Sequence, residues 1–118
     1  MAGLASKSFD AADDVRTFDK GRMEVLTLGG ATVGRATFEP GWKWSECVKP
    51  IAGTESCQAA HLGYVVSGRM HVVMDDGTEG GAGPGDLFDI APGHDAWIVG
   101  DEPCVVLDFQ GASEYAKK

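Results

Sequence analysis

Turn signals punctuate this chain so closely that long helices have nowhere to form. Gly29-Gly30, Pro40-Gly41, Gly53, Gly68, Asp75-Asp76-Gly77, Gly83-Pro84-Gly85-Asp86, Ala91-Pro92-Gly93 and Gly100-Asp101-Glu102-Pro103 break the sequence into short segments. Short strands with turn signals about every eight to twelve residues indicate a β-sandwich or a closed barrel. The 17 glycines among 118 residues fit many turns better than long helices.

The apolar patterns between the turns supply the strands. Met23-Glu24-Val25-Leu26-Thr27-Leu28 reads as a strand closed by Gly29-Gly30, with Thr32 to Glu39 as its return. Trp42 and Trp44 alternate with Lys43 and Ser45, so both indoles can share one face. His61 to Ser67 is a strand turned by Gly68, and Arg69 to Met74 is expected to return beside it as a hairpin. Leu87 to Ile90, Ala96 to Val99 and Cys104 to Phe109 complete the set, while Gly80-Gly81-Ala82-Gly83 reads as a turn. Residues 1–21 form an arm or edge strand, 22–112 the barrel domain and 113–118 a short tail. The fold class is all-β.

A formal net charge of −8 works against nucleic acid, whose recognition needs a basic face, and against an anionic membrane. No segment has the apolar length to span a bilayer, and the N-terminal residues lack the charged start and apolar block of a signal peptide. The expected location is the cytoplasm. Cys47, Cys57 and Cys104 are odd in number and lack C-x-x-C spacing, so they read as free thiols or ligands. Cys104, beside Val105 and Val106, reads as buried apolar filling.

Two segments resemble the cupin family. His61-Leu62-Gly63-Tyr64-Val65-Val66-Ser67-Gly68 is similar to the end of the first cupin motif, in which a strand runs from a metal ligand to a turn glycine. Gly85-Asp86-Leu87-Phe88-Asp89-Ile90-Ala91-Pro92-Gly93 is similar to the start of the second. The resemblance spans residues 35 to 109 and implies a double-stranded β-helix, or jelly-roll, barrel. That scaffold hosts enzymes, storage proteins and sensors alike, so the fold leaves the function open.

The chain departs from the family pattern at the ligand positions. Counting back from Gly68, Glu55 and Cys57 stand where two histidines are expected, and His61 stands where a glutamate is expected. The histidine of the second motif would fall at Ala96, whereas His94 lies two residues earlier. Carboxylate, thiolate and imidazole are all metal-binding groups, and the thiolate favours zinc, with iron next.

The resemblance therefore implies one divalent ion held by Glu55, Cys57 and His61, with His94 as a fourth ligand. One condition is geometric. On a straight strand residues 57 and 61 lie about 13 Å apart, so the chain has to turn at Gln58-Ala59-Ala60. The other reading is a decayed site, with Cys57 a small buried filler, His61 hydrogen-bonded in the core and Glu55 in solvent. Asp95 could orient the His94 ring as an acceptor. His71 shares a face with Arg69 and reads as outside the barrel.

Trp44 and Phe88 are the candidate walls of a small-molecule pocket, with Trp42 and Trp97 as further aromatics. The residues match no nucleophilic triad motif, phosphate loop or dinucleotide fingerprint. Two functions stay open: an enzyme using Lewis-acid chemistry on a small carbonyl or carboxylate compound, or a non-catalytic sensor or storage module. In either case the resemblance implies a homodimer, with the residues before Arg22 as a pairing edge.

Overall fold

The computed structural model describes residues 3–110 and residue 112. The proposed tail, 113–118, lies outside the described residues. Among the described residues nine strands run β1 (Asp14–Phe18), β2 (Gly21–Leu28), β3 (Ala31–Phe38), β4 (His61–Ser67), β5 (Arg69–Met74), β6 (Glu79–Ala82), β7 (Leu87–Ile90), β8 (His94–Val99) and β9 (Cys104–Gln110). Two one-turn helices, α1 (Trp44–Cys47) and α2 (Lys49–Ala52), fill the connection between β3 and β4. None of the described helices is long and apolar enough to cross a membrane.

The strands form two antiparallel sheets. One has six strands in the order β1-β2-β3-β9-β4-β7, the other three in the order β6-β5-β8. The core lies between them, with Met23, Val65 and Cys104 from the larger sheet meeting Met70, Ala96 and Ile98 from the smaller. Trp44 is the largest fully buried side chain and covers this core from α1. Inward positions alternate along β9, where Cys104, Val106 and Asp108 are buried. Along β4 the inward set is His61, Gly63 and Val65. Both sets follow the period of two that a strand imposes.

Two details differ from the sequence reading. The strands β4 and β5 do not pair as a hairpin: β4 lies between β9 and β7, and β5 between β6 and β8. At Gly68 the chain passes from one sheet to the other. Its φ of 78° and the lack of room for a Cβ, which would sit 2.4 Å from the Pro103 carbonyl oxygen, restrict this corner to glycine.

The second difference is the glycine-rich Glu79–Ala82 segment, which is strand β6 and not a turn. It hydrogen-bonds to β5 across the Asp75-Asp76-Gly77 turn, with Val72 opposite Gly80 and Met70 opposite Ala82. At the N-terminus the structure takes the edge-strand alternative of the two read for residues 1–21. Residues 14–18 pair with β2 along their whole length as an edge strand.

Candidate metal centre

The segment before β4 decides the site. After α2 the chain runs to Cys57, whose amide donates to the His94 carbonyl at 2.7 Å and whose carbonyl accepts from the Gly93 amide at 2.7 Å. This isolated bridge fastens Cys57 to the start of β8. The chain then folds back through residues 58–60 and enters β4 at His61. Cys57 Sγ and His61 Nε2 lie 3.7 Å apart as a result.

One ligand atom from each of Cys57, His61 and His94 falls within 4.8 Å of the others, and all three residues are buried. The imidazoles meet edge to face, with ring centroids 5.4 Å apart.

Each imidazole has its other nitrogen occupied. His61 Nδ1 lies 2.6 Å from Asp108 Oδ2. A carboxylate in this role only accepts, so Nδ1 carries the hydrogen and donates it. His94 Nδ1 lies 2.8 Å from the Ala91 carbonyl oxygen and donates for the same reason. Asp95 does not orient His94, because its Oδ1 accepts from the Ser45 and Ala96 amides instead. Fixing Nδ1 as the donor leaves Nε2 as the lone-pair nitrogen of each neutral ring.

The protonation of the metal-free cluster follows from the same contacts. Burial alone would raise the Cys57 thiol, but hydrogen bonds from His61, His94 and the Ala59 backbone outweigh it and bring the thiol down to about 6. Burial alone would lower His61, yet the Asp108 carboxylate and the Cys57 sulfur outweigh it and lift the imidazole to about 9. The two groups therefore sit near neutral pH as a thiolate beside an imidazolium. Cys104, which is buried and has no such partners, is pushed up to about 11 by desolvation.

Glu55 stands apart from the cluster. Its side chain is 96% exposed and pairs with Lys49 at 2.9 Å, a contact that lowers its carboxyl below the usual value. The physical reason is local: Cys57 is held inward by the bridge to His94, whereas Glu55 lies in the turn beyond α2.

Asp108 takes the buried acidic place that sequence counting assigned to no residue. The signal was present in the alternation of Cys104, Val106 and Asp108, which puts a carboxylate on an inward apolar face. Although no nucleophile motif is visible in the sequence, Cys57, His61 and Asp108 form a relay of thiol, imidazole and carboxylate.

The cluster opens onto a cavity of about 50 Å³. His61, His94 and Asp108 supply its polar side, and Trp42, Trp44, Phe38, Met70, Phe88 and Val106 are among its apolar walls. Trp44 and Phe88, the two candidate pocket residues, both line it. Trp42 Nε1 is buried without a hydrogen-bond partner among the described residues. A buried donor left this way costs about 1–3 kcal/mol unless an acceptor reaches it. Trp97 is not in this wall; it lies between the His71 ring, 4.9 Å away, and the Lys43 ammonium, 5.2 Å away. His71 also bonds Glu79 at 2.8 Å on that outer face.

No protein-family model matches the sequence, and no curated protein matches it. Solved structures do match. A cupin-superfamily sugar phosphate isomerase from Silicibacter pomeroyi is similar at 20% identity, over 88% of this chain and 73% of that one, with a TM-score of 0.61. An RmlC-like cupin from Shewanella frigidimarina is similar at 17% identity, over 92% and 91%, with a TM-score of 0.60. The oxalate decarboxylase of Lactobacillus farciminis, solved as a formate complex, is similar at 17% identity over 92% of this chain but only 34% of its own, with a TM-score of 0.59. Together with the two antiparallel sheets, these likenesses show the fold: a small jelly-roll barrel of the kind found in cupins.

Proposed function

We propose that this domain binds one divalent metal ion through Cys57, His61 and His94, with zinc preferred over iron. The observation that carries the reading is the pair of occupied Nδ1 atoms. Asp108 and the Ala91 carbonyl hold both rings so that Nε2 is the nitrogen left to meet Cys57 Sγ. Outer partners of this kind usually orient metal-binding histidines. Bond lengths of about 2.3 Å to sulfur and 2.0 Å to nitrogen put two tetrahedral ligands roughly 3.5 Å apart. The 3.7 Å between Cys57 and His61 fits that span.

Three protein ligands leave a tetrahedral position open, which is the pattern of catalytic zinc sites, whereas structural sites close with four. An ion held here would supply Lewis acidity toward a small carbonyl or carboxylate compound. The apolar walls would exclude water from that position, and the unpartnered Trp42 Nε1–H would offer a donor to an oxygen of the ligand. A non-catalytic binding module is the alternative, and it would have a fourth protein ligand or an inert bound molecule in the open position. The three free, buried cysteines fit a reducing compartment.

Metal analysis of protein purified without added ions tests the reading. The wild-type chain is expected to carry close to one ion, and a Cys57→Ser, His61→Ala double variant close to none. Glu55→Gln should keep the full content, since that side chain pairs with Lys49 in solvent. Equal metal in the wild type and the double variant would remove the proposal.

Two copies of the chain are also proposed to pair. Support comes from β1, an edge strand whose outer side has no neighbour among the described strands. Light scattering at micromolar concentration should give twice the 12.4 kDa chain mass, and a monomeric mass removes this part.

A further inference from the structure

A second hollow adjoins the first. The two sheets do not meet between β6 and β7, each the last strand of its own sheet, and a cleft of about 290 Å³ opens there. Its floor is apolar, with Val72, Met74 and Ala82 on one side and Phe88 and Ile90 on the other. Thr78, Glu79 and Asp89 also line it and supply its polar groups. Met70, Phe88 and Ile90 line both this cleft and the inner cavity, so they are the partition between the two.

Gly80 keeps the cleft wide. It pairs with Val72, and residues paired across antiparallel strands face the same side of their sheet. A Cβ at Gly80 would thus point with Val72 toward the cleft, yet it would meet no atom within 4 Å. The space that the first atom of a side chain at Gly80 would enter is open. The flanking inward residues Val72 and Ala82 are only partly buried. An apolar floor of this kind, left uncovered beside a polar cluster, suits a ligand with an apolar part and a polar end.

We infer that the β6–β7 cleft holds the apolar chain of a ligand whose carbonyl or carboxylate head reaches the Cys57–His61–His94 cluster past Met70, Phe88 and Ile90. The inference rests on the metal reading for the position of the head, and on the cleft for the class of ligand: a small acid or carbonyl compound with an aliphatic tail. The inner cavity of about 50 Å³ has room for little more than the head. On the same measure one water molecule needs roughly 10–15 Å³, so a head of a few non-hydrogen atoms fills the cavity. Any longer molecule has to extend into a neighbouring hollow, and the cleft shares three walls with the cavity.

The test uses straight-chain carboxylates from acetate to octanoate, titrated by calorimetry into the zinc-loaded full chain, wild type and Gly80→Phe. Burying a methylene strengthens binding by roughly threefold to fourfold. In the wild type, hexanoate should therefore bind at least tenfold more tightly than acetate. In Gly80→Phe that ratio should fall toward one, because the ring occupies the space of the tail.

Gly80→Val, a smaller plug, should give an intermediate ratio and guards against misfolding of the larger variant. A flat or falling series in the wild type overturns the inference, and so does an unchanged ratio in both variants. The same series on metal-free protein separates the two ideas. A chain-length gain that survives without metal upholds the cleft and removes the metal from the head site. Zinc-dependent acetate binding with no gain from length leaves the metal reading standing and removes the cleft.

Discussion

Zinc affinity of the metal-free protein is expected to rise by about tenfold per pH unit from pH 6 to pH 9, about a thousandfold in all, and then to level off. The ligands bind metal only as thiolate and neutral imidazole, so any proton they carry has to leave. Cys57 loses its proton at about 6, and His61 keeps its own up to about 9. Between those values one proton, that of the His61 imidazolium, is displaced for each ion bound. Below pH 6 the Cys57 proton must leave as well, and the slope should steepen.

Competition against a chelating indicator at fixed pH values, corrected for the indicator's own protons, gives the slope. A slope of zero across this range would mean that the histidine is not a ligand or is not held as a cation. Thiolate absorbance near 240 nm gives a second reading on the metal-free chain. It should appear with a midpoint near 6, against about 9 in denaturant.

The same shifts make a contrasting statement about folding. The depressed Cys57 value contributes stability that is complete above pH 9.0, the ordinary value of a thiol, and lost as pH falls through about 6. The raised His61 value contributes stability that is complete below pH 6.5 and lost as pH rises through about 9. Between pH 6.5 and 9 the two slopes have opposite signs, because folding removes a proton from one group and adds one to the other. They cancel. The pair should leave the stability of the metal-free protein nearly flat over the range in which its metal affinity changes most.

The sequence showed the strands more clearly than their partners. The segments His61–Ser67, Arg69–Met74 and Leu87–Ile90 could be read residue by residue, because alternating apolar side chains run between glycine, proline and aspartate turns. The turn at Gly68 reveals that the chain changes direction but not which strand accepts the next hydrogen bonds, so β4 and β5 looked like a hairpin. Strand β6 was hidden for a different reason. Glycine has no side chain to alternate, and pairing with β5 alone makes Glu79–Ala82 a strand.

The same division holds at the site. The positions of Cys57, His61 and His94 could be counted from the glycine and proline landmarks, while their convergence depends on the backbone bridge between Cys57 and His94. No side-chain pattern announces that bridge. The acceptor for His94 is the Ala91 carbonyl, an atom that every residue has, so the sequence could only offer Asp95 in its place. Glu55 was drawn in by counting back along a regular motif, which overlooks that the chain between Gly53 and Cys57 is a surface turn.

Above pH 9, where the His61 proton no longer competes with the ion, Asp108→Asn is expected to lower zinc affinity by about 10- to 100-fold while the protein still folds. The amide oxygen of asparagine can accept from His61 Nδ1–H as the carboxylate does, so the ring keeps its orientation. The negative charge is lost, and with it the main group that raises His61 above its ordinary value. His61 should then titrate well below 9, which nuclear magnetic resonance of the ring protons would report directly.

Asp108→Ala should do more damage. It removes the acceptor from a buried ring, and breaking a buried pair of this kind costs about 3–5 kcal/mol. Chemical denaturation of the metal-free variants measures that difference, and it should follow the order wild type, Asn, Ala. The two readouts separate orientation from charge. If Asp108→Asn bound zinc as tightly as the wild type while His61 had fallen toward 6.5, the carboxylate would be a partner of the imidazolium alone, with no hand in holding the ion.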